Sequence, residues 1–438
     1  MQNPTLDAPI RRGGAAGRSL RRALAAGLTR RGLLLAGMAA VHLLMLSSLV
    51  TGWLNPVFDD RPAAALQAHD FFSVYEAGVR VLRGENAYAP ESTGATPHAT
   101  YFRYVPAFLP AAAAFTLLPP RAAYWLWVAV LEGLLALNVW KTWRLAPEPG
   151  LRLATAALWL LSAPYYFELY LGQFSFLMAT LLFWSACAFR EGRDRRAGAA
   201  WAASLFVKTY PVLMAPGLWR AGHRRLVAGS LAALVALSAP YLLLVPGAWA
   251  GFSAVNGGSF SHVTLSRMHH GVLGFQAFLR HLNRIPEVYL GMSPVWAEMA
   301  VPFLWACAVG VVILVASLAA RRPDPVPAMA LAVTGYFLMF RDVWEHYFVV
   351  MVAVCVALAL LQPDLRRWAL ACGVLFALPT PYALLELAYP TGPGATEHLV
   401  WPLGVALAYF SLKAVPLLLL FLRLVLALVG PDRSSPRR

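Results

Sequence analysis

The sequence predicts an all-α polytopic integral membrane protein, and three observations lead to this prediction. Hydrophobic residues make up 59% of the chain and charged residues only 13%, whereas soluble domains carry roughly 25% charged residues. Apolar runs of about 20 residues, the length that crosses a bilayer as a helix, recur along the chain. The regular apolar–polar alternation of a membrane β-barrel is absent. We expect about 10–13 transmembrane or re-entrant helices and a large first outer loop.

Positive charge is concentrated in short segments between the apolar runs. The N-terminal tail and six later clusters together hold 24 of the 36 lysines and arginines. The clusters are Lys141/Arg144/Arg152, Arg190/Arg193/Arg195/Arg196, Arg220/Arg224/Arg225, Arg321/Arg322, Arg366/Arg367 and Arg433/Arg437/Arg438. Placing all of them in the cytoplasm satisfies the positive-inside rule. The net charge of +15 therefore indicates topology and contact with anionic lipid headgroups, and we expect no nucleic-acid partner.

This topology divides the chain into three parts. Residues 1–31 form a cytoplasmic basic tail, 32–430 a single transmembrane domain and 431–438 a second cytoplasmic tail. Two large polar loops, 54–100 and 247–295, then lie on the outer side. The four cysteines sit inside apolar runs without a C-x-x-C pair, so we expect small buried side chains and no disulfide framework.

The same topology predicts where the chain crosses the membrane. Full spans are expected near 32–53, 122–140, 153–168, 172–189, 225–246, 296–319, 325–341, 343–361, 366–383 and 399–421. The apolar segment 197–219 lies between two cytoplasmic clusters and is too short for two spans. The proline in the middle of this segment, Pro211, predicts two half-helices that meet within the membrane. The segment 101–118 is expected to be interfacial or re-entrant, and an extra turn is possible after residue 399.

Several kinds of chemistry lack their motifs in this sequence. There is no G-x-x-x-x-G-K-[ST] of a P-loop ATPase and no H-E-x-x-H or Cys/His zinc pattern. There is also no D-x-D, which typically binds a metal and a nucleotide sugar. We therefore expect neither a metal nor a cofactor.

Polar residues at the outer ends of distant spans are the candidate site. They are Asp70 in the first outer loop, Gly172-Gln173, Lys208 at the hairpin break, and Arg341, Asp342, Glu345 and His346 at one outer joint. Each has an ordinary explanation as a solvated, capping, snorkelling or interfacial side chain. Lys208 is the hardest to explain in that way, because a lysine near mid-membrane costs about 3 kcal/mol or more and such residues usually face a functional cavity.

Short motifs in this order resemble a known family. They are Asp70, Tyr75, Gly78, Leu82, Gly84 and Tyr88, then Tyr104-Val105-Pro106, Leu118-Pro119 with Trp125, Gly172-Gln173, Lys208-Thr209-Tyr210-Pro211 and Trp344-Glu345-His346-Tyr347. Over roughly residues 30–360 the chain is similar to glycosyltransferase family 87, polyprenol-phosphate-mannose-dependent α-mannosyltransferases of the GT-C fold. The order and the shared outer placement of the motifs, rather than any single one, carry the resemblance.

The resemblance implies an enzyme of a bacterial-type plasma membrane whose active site faces outward. The donor would be a polyprenyl-phosphate sugar, by default mannose, and the acceptor a glycolipid or glycan. Asp70 would be the catalytic base of an inverting displacement, and Lys208 and His346 would bind the donor phosphate. The remaining residues expected in the substrate cavity are Tyr75, Gln173, Tyr210, Glu345, His269 and His270.

Asp70 is favoured over Asp59 and Asp60 for a reason in the sequence itself. Phe71, Phe72 and Tyr75 follow it at helical spacing, so the helix that begins there is expected to dock its apolar side on the membrane surface. The rivals follow the first span directly and lack this aromatic anchor.

Two other functions stay open at this level. A secondary transporter or lipid flippase would also have a broken helix and an intramembrane lysine, although no second, matching broken helix is present in the sequence. A ligase that uses a lipid diphosphate donor on the outer face is the third option. The product distinguishes them, because only the transferases make a new covalent bond.

Overall fold

The structure, a computed structural model, describes residues 30–55, 67–98, 101–257, 272–291, 295–320, 324–390 and 401–430. Within these ranges the chain forms helices and no β-strand, which confirms the predicted all-α class. The α-helices are α1 (Arg30–Thr51), α2 (His69–Leu82), α3 (Leu109–Phe115), α4 (Pro120–Leu145), α5 (Pro149–Leu160), α6 (Ala163–Leu171), α7 (Ser175–Arg190), α8 (Asp194–Val207), α9 (Ala215–Arg220), α10 (Arg224–Leu244), α11 (Ala248–Gly257), α12 (Phe275–Leu290), α13 (Val295–Leu318), α14 (Pro325–Met339), α15 (Phe348–Leu361), α16 (Arg366–Ala377), α17 (Tyr382–Ala388) and α18 (Leu403–Val429). Short 3-10 turns cover Pro106–Phe108, Tyr210–Met214, Glu345–Tyr347 and Pro363–Leu365.

Five of the described helices are long and apolar enough to cross a membrane, namely α1, α4, α10, α13 and α18. Shorter apolar helices, α7, α14 and α15 among them, lie between these. The long helices expose large apolar side chains such as Leu43, Val235, Val311 and Leu422. So much exposed apolar surface is unfavourable in water and favourable in lipid, which fits the predicted polytopic membrane protein.

The centre of the bundle is α15, in which every residue from Phe348 to Leu361 is buried. The helix is apolar on all sides, as expected of a helix surrounded by others. It packs against α5, α7, α14 and α16. The short turn Glu345–Tyr347 precedes it directly, so the rigid core fixes the position of that turn.

The structure corrects two of the predicted spans. The segment 153–168 is not one helix, because α5 ends at Leu160 and α6 begins at Ala163. Pro164 stands in the first turn of α6, where it lacks the N–H that would continue α5. The segment 366–383 is not one helix either, because α16 ends at Ala377 and α17 begins at Tyr382. The extra turn that the sequence allowed after residue 399 does not interrupt α18, which runs unbroken from Leu403 to Val429.

The predicted break at Lys208 is present. Helix α8 ends at Val207, and Lys208 is extended, with φ −145° and ψ 141°. The turn Tyr210–Met214 and the short helix α9 follow. Pro211 favours the break, because it has no N–H to donate to the Val207 carbonyl four residues earlier and its ring would clash with that carbonyl in a continued helix.

A polar triad of the buried His42 and Tyr165 and the half-buried Glu132 joins the first long helix to the bundle. His42 of α1 lies 3.0 Å from a carboxylate oxygen of Glu132 in α4, and the Tyr165 hydroxyl of α6 donates to the other oxygen at 2.9 Å. The Nδ1 atom of His42 lies 3.1 Å from the Leu160 carbonyl oxygen, which can only accept. Nδ1 therefore carries a proton and donates it to Leu160, while Nε2 faces the Glu132 carboxylate. The triad accounts for the one acidic residue of the span predicted at 122–140.

We expect Glu132→Ala to destabilise the protein by about 1–3 kcal/mol, because His42 and Tyr165 would both lose a partner inside the bundle. Thermal unfolding in detergent measures this. The matched control is Glu148→Ala, which removes an exposed ion pair with Arg366 at 3.0 Å and should change stability by less than about 1 kcal/mol. Equal melting temperatures for the two variants would contradict a structural role for the triad.

Candidate functional site

Helix α2 carries the first candidate, Asp70, and packs against protein rather than lipid. Phe71, Phe72 and Tyr75 are all buried, at 0%, 4% and 6% exposure. The expectation that this aromatic face docks on the membrane surface is therefore wrong. Gly78 explains the close packing, since a Cβ there would lie only 2.2 Å from the Ala112 carbonyl oxygen of α3.

Gln173 fixes the orientation of the Asp70 carboxylate. Its side-chain N–H donates to Asp70 at 2.7 Å, while its side-chain oxygen accepts from the Tyr104 hydroxyl at 3.2 Å. The tight turn before Gln173 requires glycine. Gly172 has φ +66°, and a Cβ there would lie 2.5 Å from Cβ of Phe71. The Gly172-Gln173 pair thus places the side-chain amide of Gln173 against the Asp70 carboxylate.

The surroundings of Asp70 act on its basicity in opposite directions. Burial raises the pKa of the Asp70 carboxyl above its ordinary value. The hydrogen bond from Gln173 and the positive charges of His69, Lys208 and Arg103 oppose this rise without cancelling it. A carboxylate with a raised pKa is a better proton acceptor than an ordinary exposed one.

Lys208 is held by neighbours from two other segments. Its Nζ donates to the Ser175 hydroxyl at the start of α7, at 2.8 Å, and lies 3.9 Å from the centre of the Tyr347 ring. Asp70 and Glu168 are its negatively charged neighbours. A lysine placed among a hydroxyl, a π-face and two carboxylates does not snorkel to an interface. It contributes a fixed positive charge beside Asp70.

His346 brings a buried imidazole to the same place. It is 4% exposed, and its ring centre lies 4.4 Å from that of Tyr347, edge to face. Its Nε2 has no hydrogen-bond partner among the described residues, and Lys208 acts on it electrostatically. Buried polar atoms are nearly always hydrogen-bonded, so this nitrogen is available to a ligand. We refer to Asp70, Gln173, Lys208, His346 and Tyr347 as the site cluster.

One further candidate borders the site cluster, and two lie outside the described residues. The Tyr210 ring stacks on Tyr336 with centres 3.9 Å apart, and it interacts electrostatically with Tyr347 of the cluster. The stacked pair therefore borders the cluster on the side of Tyr347. His269 and His270 fall in the segment that the structure does not describe.

The described hydrogen bonds of two other candidates point away from the site cluster. The Tyr75 hydroxyl donates to the Leu118 carbonyl at 2.9 Å and so ties α2 to the segment before α4. The Glu345 carboxylate accepts from the backbone N–H and the hydroxyl of Thr380, at 3.0 and 2.9 Å. The structure therefore does not join Tyr75 or Glu345 to Asp70, although Glu345 directly precedes His346.

Sequence reasoning assigned no role to several residues that surround the cluster. Tyr104 and Tyr347 belong to the quoted motifs, but no motif shows what they contact. Glu168, fully buried in α6, accepts from the Phe176 N–H at 3.0 Å. A carboxylate in an apolar segment was the signal that could have identified it. Arg103, an exposed neighbour, acts electrostatically on Asp70 from a loop that carries no such signal.

Comparison with known proteins identifies the family. The sequence model of glycosyltransferase family 87 matches residues 102–341, more than half of the 438-residue chain. The match includes Gln173 and Lys208 and ends shortly before His346. No curated protein and no solved structure matches the chain. The chain belongs to glycosyltransferase family 87 and is a membrane glycosyltransferase.

Proposed function

We propose that this glycosyltransferase moves a hexose, mannose by default, from a polyprenyl-phosphate donor to a glycolipid or glycan acceptor. The transfer takes place at the outer face of a bacterial-type plasma membrane and inverts the anomeric centre. Asp70 is the general base, and Lys208 and His346 bind the donor phosphate. No nucleotide takes part, since the lipid phosphate is itself the leaving group.

One observation carries the proposal, namely that a carboxylate, an ammonium and an imidazole converge from distant segments. Asp70 comes from α2, Lys208 from the break after α8, and His346 from the turn before α15. The Lys208 ammonium interacts electrostatically with both of the others. Transfer from a phosphorylated donor needs this combination, because one partner must lose a proton while the other gains negative charge.

The proposed step is a single displacement. Asp70 takes the proton of the acceptor hydroxyl as its oxygen forms a bond to the anomeric carbon. The bond from that carbon to the phosphate oxygen breaks on the opposite face, and polyprenyl phosphate leaves with the electron pair. Lys208 and the unpartnered Nε2 of His346 stabilise the charge that develops on the phosphate.

The residues at the two ends of α7 and α8 support a site cluster that faces outward. Helix α7 starts with Ser175, which contacts Lys208, and ends at Arg190; α8 starts beside Arg193 and ends just before Lys208. The arginine ends belong in the cytoplasm by the positive-inside rule. The site cluster, at the other ends, then faces outward, where a lipid-borne donor and a polar acceptor can meet.

Purified protein incubated with a panel of polyprenyl-phosphate sugars tests the proposal. We expect release of free polyprenyl phosphate with one sugar, together with a new glycosidic bond on an added glycolipid acceptor. Protein carrying Asp70→Asn controls for spontaneous hydrolysis. Movement of the donor across a vesicle membrane without covalent change would instead indicate a transporter and contradict the proposal.

We expect EDTA to leave turnover unchanged. In the proposal the Lys208 ammonium offsets the charge of the leaving phosphate, a role that a divalent cation has in many other transferases, and His346 donates a hydrogen bond to it. Among the described residues no group of three His, Cys, Asp or Glu side chains is placed to hold a metal ion. A rate that falls in EDTA and returns with Mn²⁺ or Mg²⁺ would show that a cation acts instead.

A further inference from the structure

Glu345 is hydrogen-bonded to Thr380 through both carboxylate oxygens. Both residues are buried, at 7% and 5% exposure. The hydroxyl of Tyr409, in α18, donates to the Thr380 hydroxyl oxygen at 3.3 Å. The turn that carries His346 is thus tied at its first residue to the segment between α16 and α17.

The end of α16 is in turn held by a buried lysine. Lys413 of α18 is 1% exposed, and its ammonium donates to the carbonyl oxygens of Leu375, Phe376 and Leu378 at 2.9, 2.9 and 2.7 Å. The last carbonyls of a helix lack partners within the helix, and a cation there also interacts favourably with the helix dipole. Lys413 therefore holds the C-terminal end of α16, which lies just before Thr380 in the chain.

We propose that Lys413, Thr380 and Glu345 are positioning residues that hold His346 and Tyr347 against Lys208. Lys413 fixes the end of α16, Thr380 extends from that end, and Glu345 joins Thr380 to the turn. The proposal rests on the proposed function only in the role of His346 as a phosphate-binding group. All three residues lie beyond residues 102–341, the part that matches the family.

The chemistry of the chain of contacts favours positioning over simple stabilisation. Buried ionic and polar groups often contribute less to stability than apolar residues of the same size. They do fix the orientation of the groups that they join, since a buried hydrogen bond forms in only one arrangement of donor and acceptor. Here the hydrogen bonds orient Glu345, which directly precedes His346 in the chain. The Nε2 atom of His346 has no hydrogen-bond partner among the described residues.

Thr380→Val tests the proposal, because it keeps the shape of the side chain and removes the hydroxyl. We expect the donor KM to rise about tenfold while kcat changes by less than about threefold. Thr380→Ser, which restores the hydroxyl, should return KM to near the wild-type value. Thr334→Val is the matched control, since it removes a buried hydroxyl whose described hydrogen bond goes to the Ala330 carbonyl within α14; its donor KM should not change.

A double mutant shows whether Thr380 acts through the imidazole. In a His346→Ala background, Thr380→Val should change donor KM by less than about twofold. A tenfold rise in donor KM that persists in that background would show that Thr380 does not act through His346 and would overturn the proposal.

Cysteine labelling provides a readout that does not depend on activity. With the exposed Cys307 replaced by alanine, the thiol introduced by His346→Cys should react slowly with a maleimide. Adding Thr380→Val should speed its reaction about tenfold, because the turn is released. Unchanged labelling together with unchanged KM would overturn the positioning role. Faster labelling, with donor KM unaffected by His346→Ala, would support the positioning role and contradict the phosphate-binding role of His346.

Discussion

Asp70→Asn should lower turnover by about 10²-fold or more. Asparagine keeps the shape of the side chain and can still accept a hydrogen bond from Gln173, but it cannot take the acceptor proton. The folded protein and its donor binding should therefore survive. The measurement is kcat with the preferred polyprenyl-phosphate sugar, together with donor KM and the melting temperature in detergent.

The rival carboxylates are the matched controls for this variant. Asp59→Asn and Asp60→Asn remove an acid from the same predicted outer loop and should keep most of the activity. Turnover by Asp70→Asn near the wild-type rate would show that the proposed mechanism is wrong. A loss of activity in the Asp59 or Asp60 variant alone would transfer the role of base to that residue.

The pH profile gives a second test of the same residue. A general base must be deprotonated, so activity should be present at neutral pH and fall as the pH drops through the Asp70 pKa. Because burial raises that pKa, kcat/KM should fall at a higher pH than for an ordinary aspartate. Gln173→Leu removes the hydrogen bond that opposes the rise, so this acidic limb should shift further upward. An acidic limb near the ordinary aspartate value in both proteins would argue against Asp70.

The membrane class, the family and the break at Lys208 could be predicted from sequence because each depends on local composition or short motifs. A run of about 20 apolar residues predicts a membrane-spanning helix from its own length and composition, and Pro211 favours a break because it has no N–H to donate. The convergence of Asp70, Gln173 and Lys208 also followed from sequence, since the charge pattern assigns the ends of distant helices to one face.

Other features could not be predicted, for physical reasons. Phe71 and Phe72 are apolar whether they face lipid or protein, so the sequence did not show that α2 packs on α3. Pro164 is compatible with the first turn of a new helix or a kink in a continuous one, and only packing decides between them. Glu345 next to His346 suggested a shared cavity, yet in a 3-10 turn neighbouring side chains point in different directions, and Glu345 reaches Thr380.

Lys208→Met should weaken donor use by about 10–100-fold, because a charged hydrogen bond to the phosphate contributes about 1.5–3 kcal/mol. Methionine is similar in length to lysine but uncharged, so its side chain can still pack against the Tyr347 ring. The measurement is donor KM and kcat/KM at fixed acceptor concentration.

The structure offers a matched control at the other end of the bundle. Lys141→Met removes a lysine whose ammonium lies 3.5 Å from Glu191 and that is partly exposed. Its donor KM should stay within about twofold of the wild type, since exposed ion pairs contribute little. This comparison separates the loss of a positive charge in general from the loss of the one beside Asp70.

A second substitution determines whether Lys208 and His346 bind the same phosphate. His346→Ala should also raise donor KM, and the double variant should lose less than the two single losses combined, because residues that share one ligand group are not independent. Full additivity would place the two residues on different parts of the substrate. Unchanged donor kinetics in Lys208→Met would mean that Ser175, Glu168 and the Tyr347 ring hold this lysine for the sake of structure alone. The leaving phosphate would then need a different cation, and Arg103, a further positive neighbour of Asp70, would be the first residue to test.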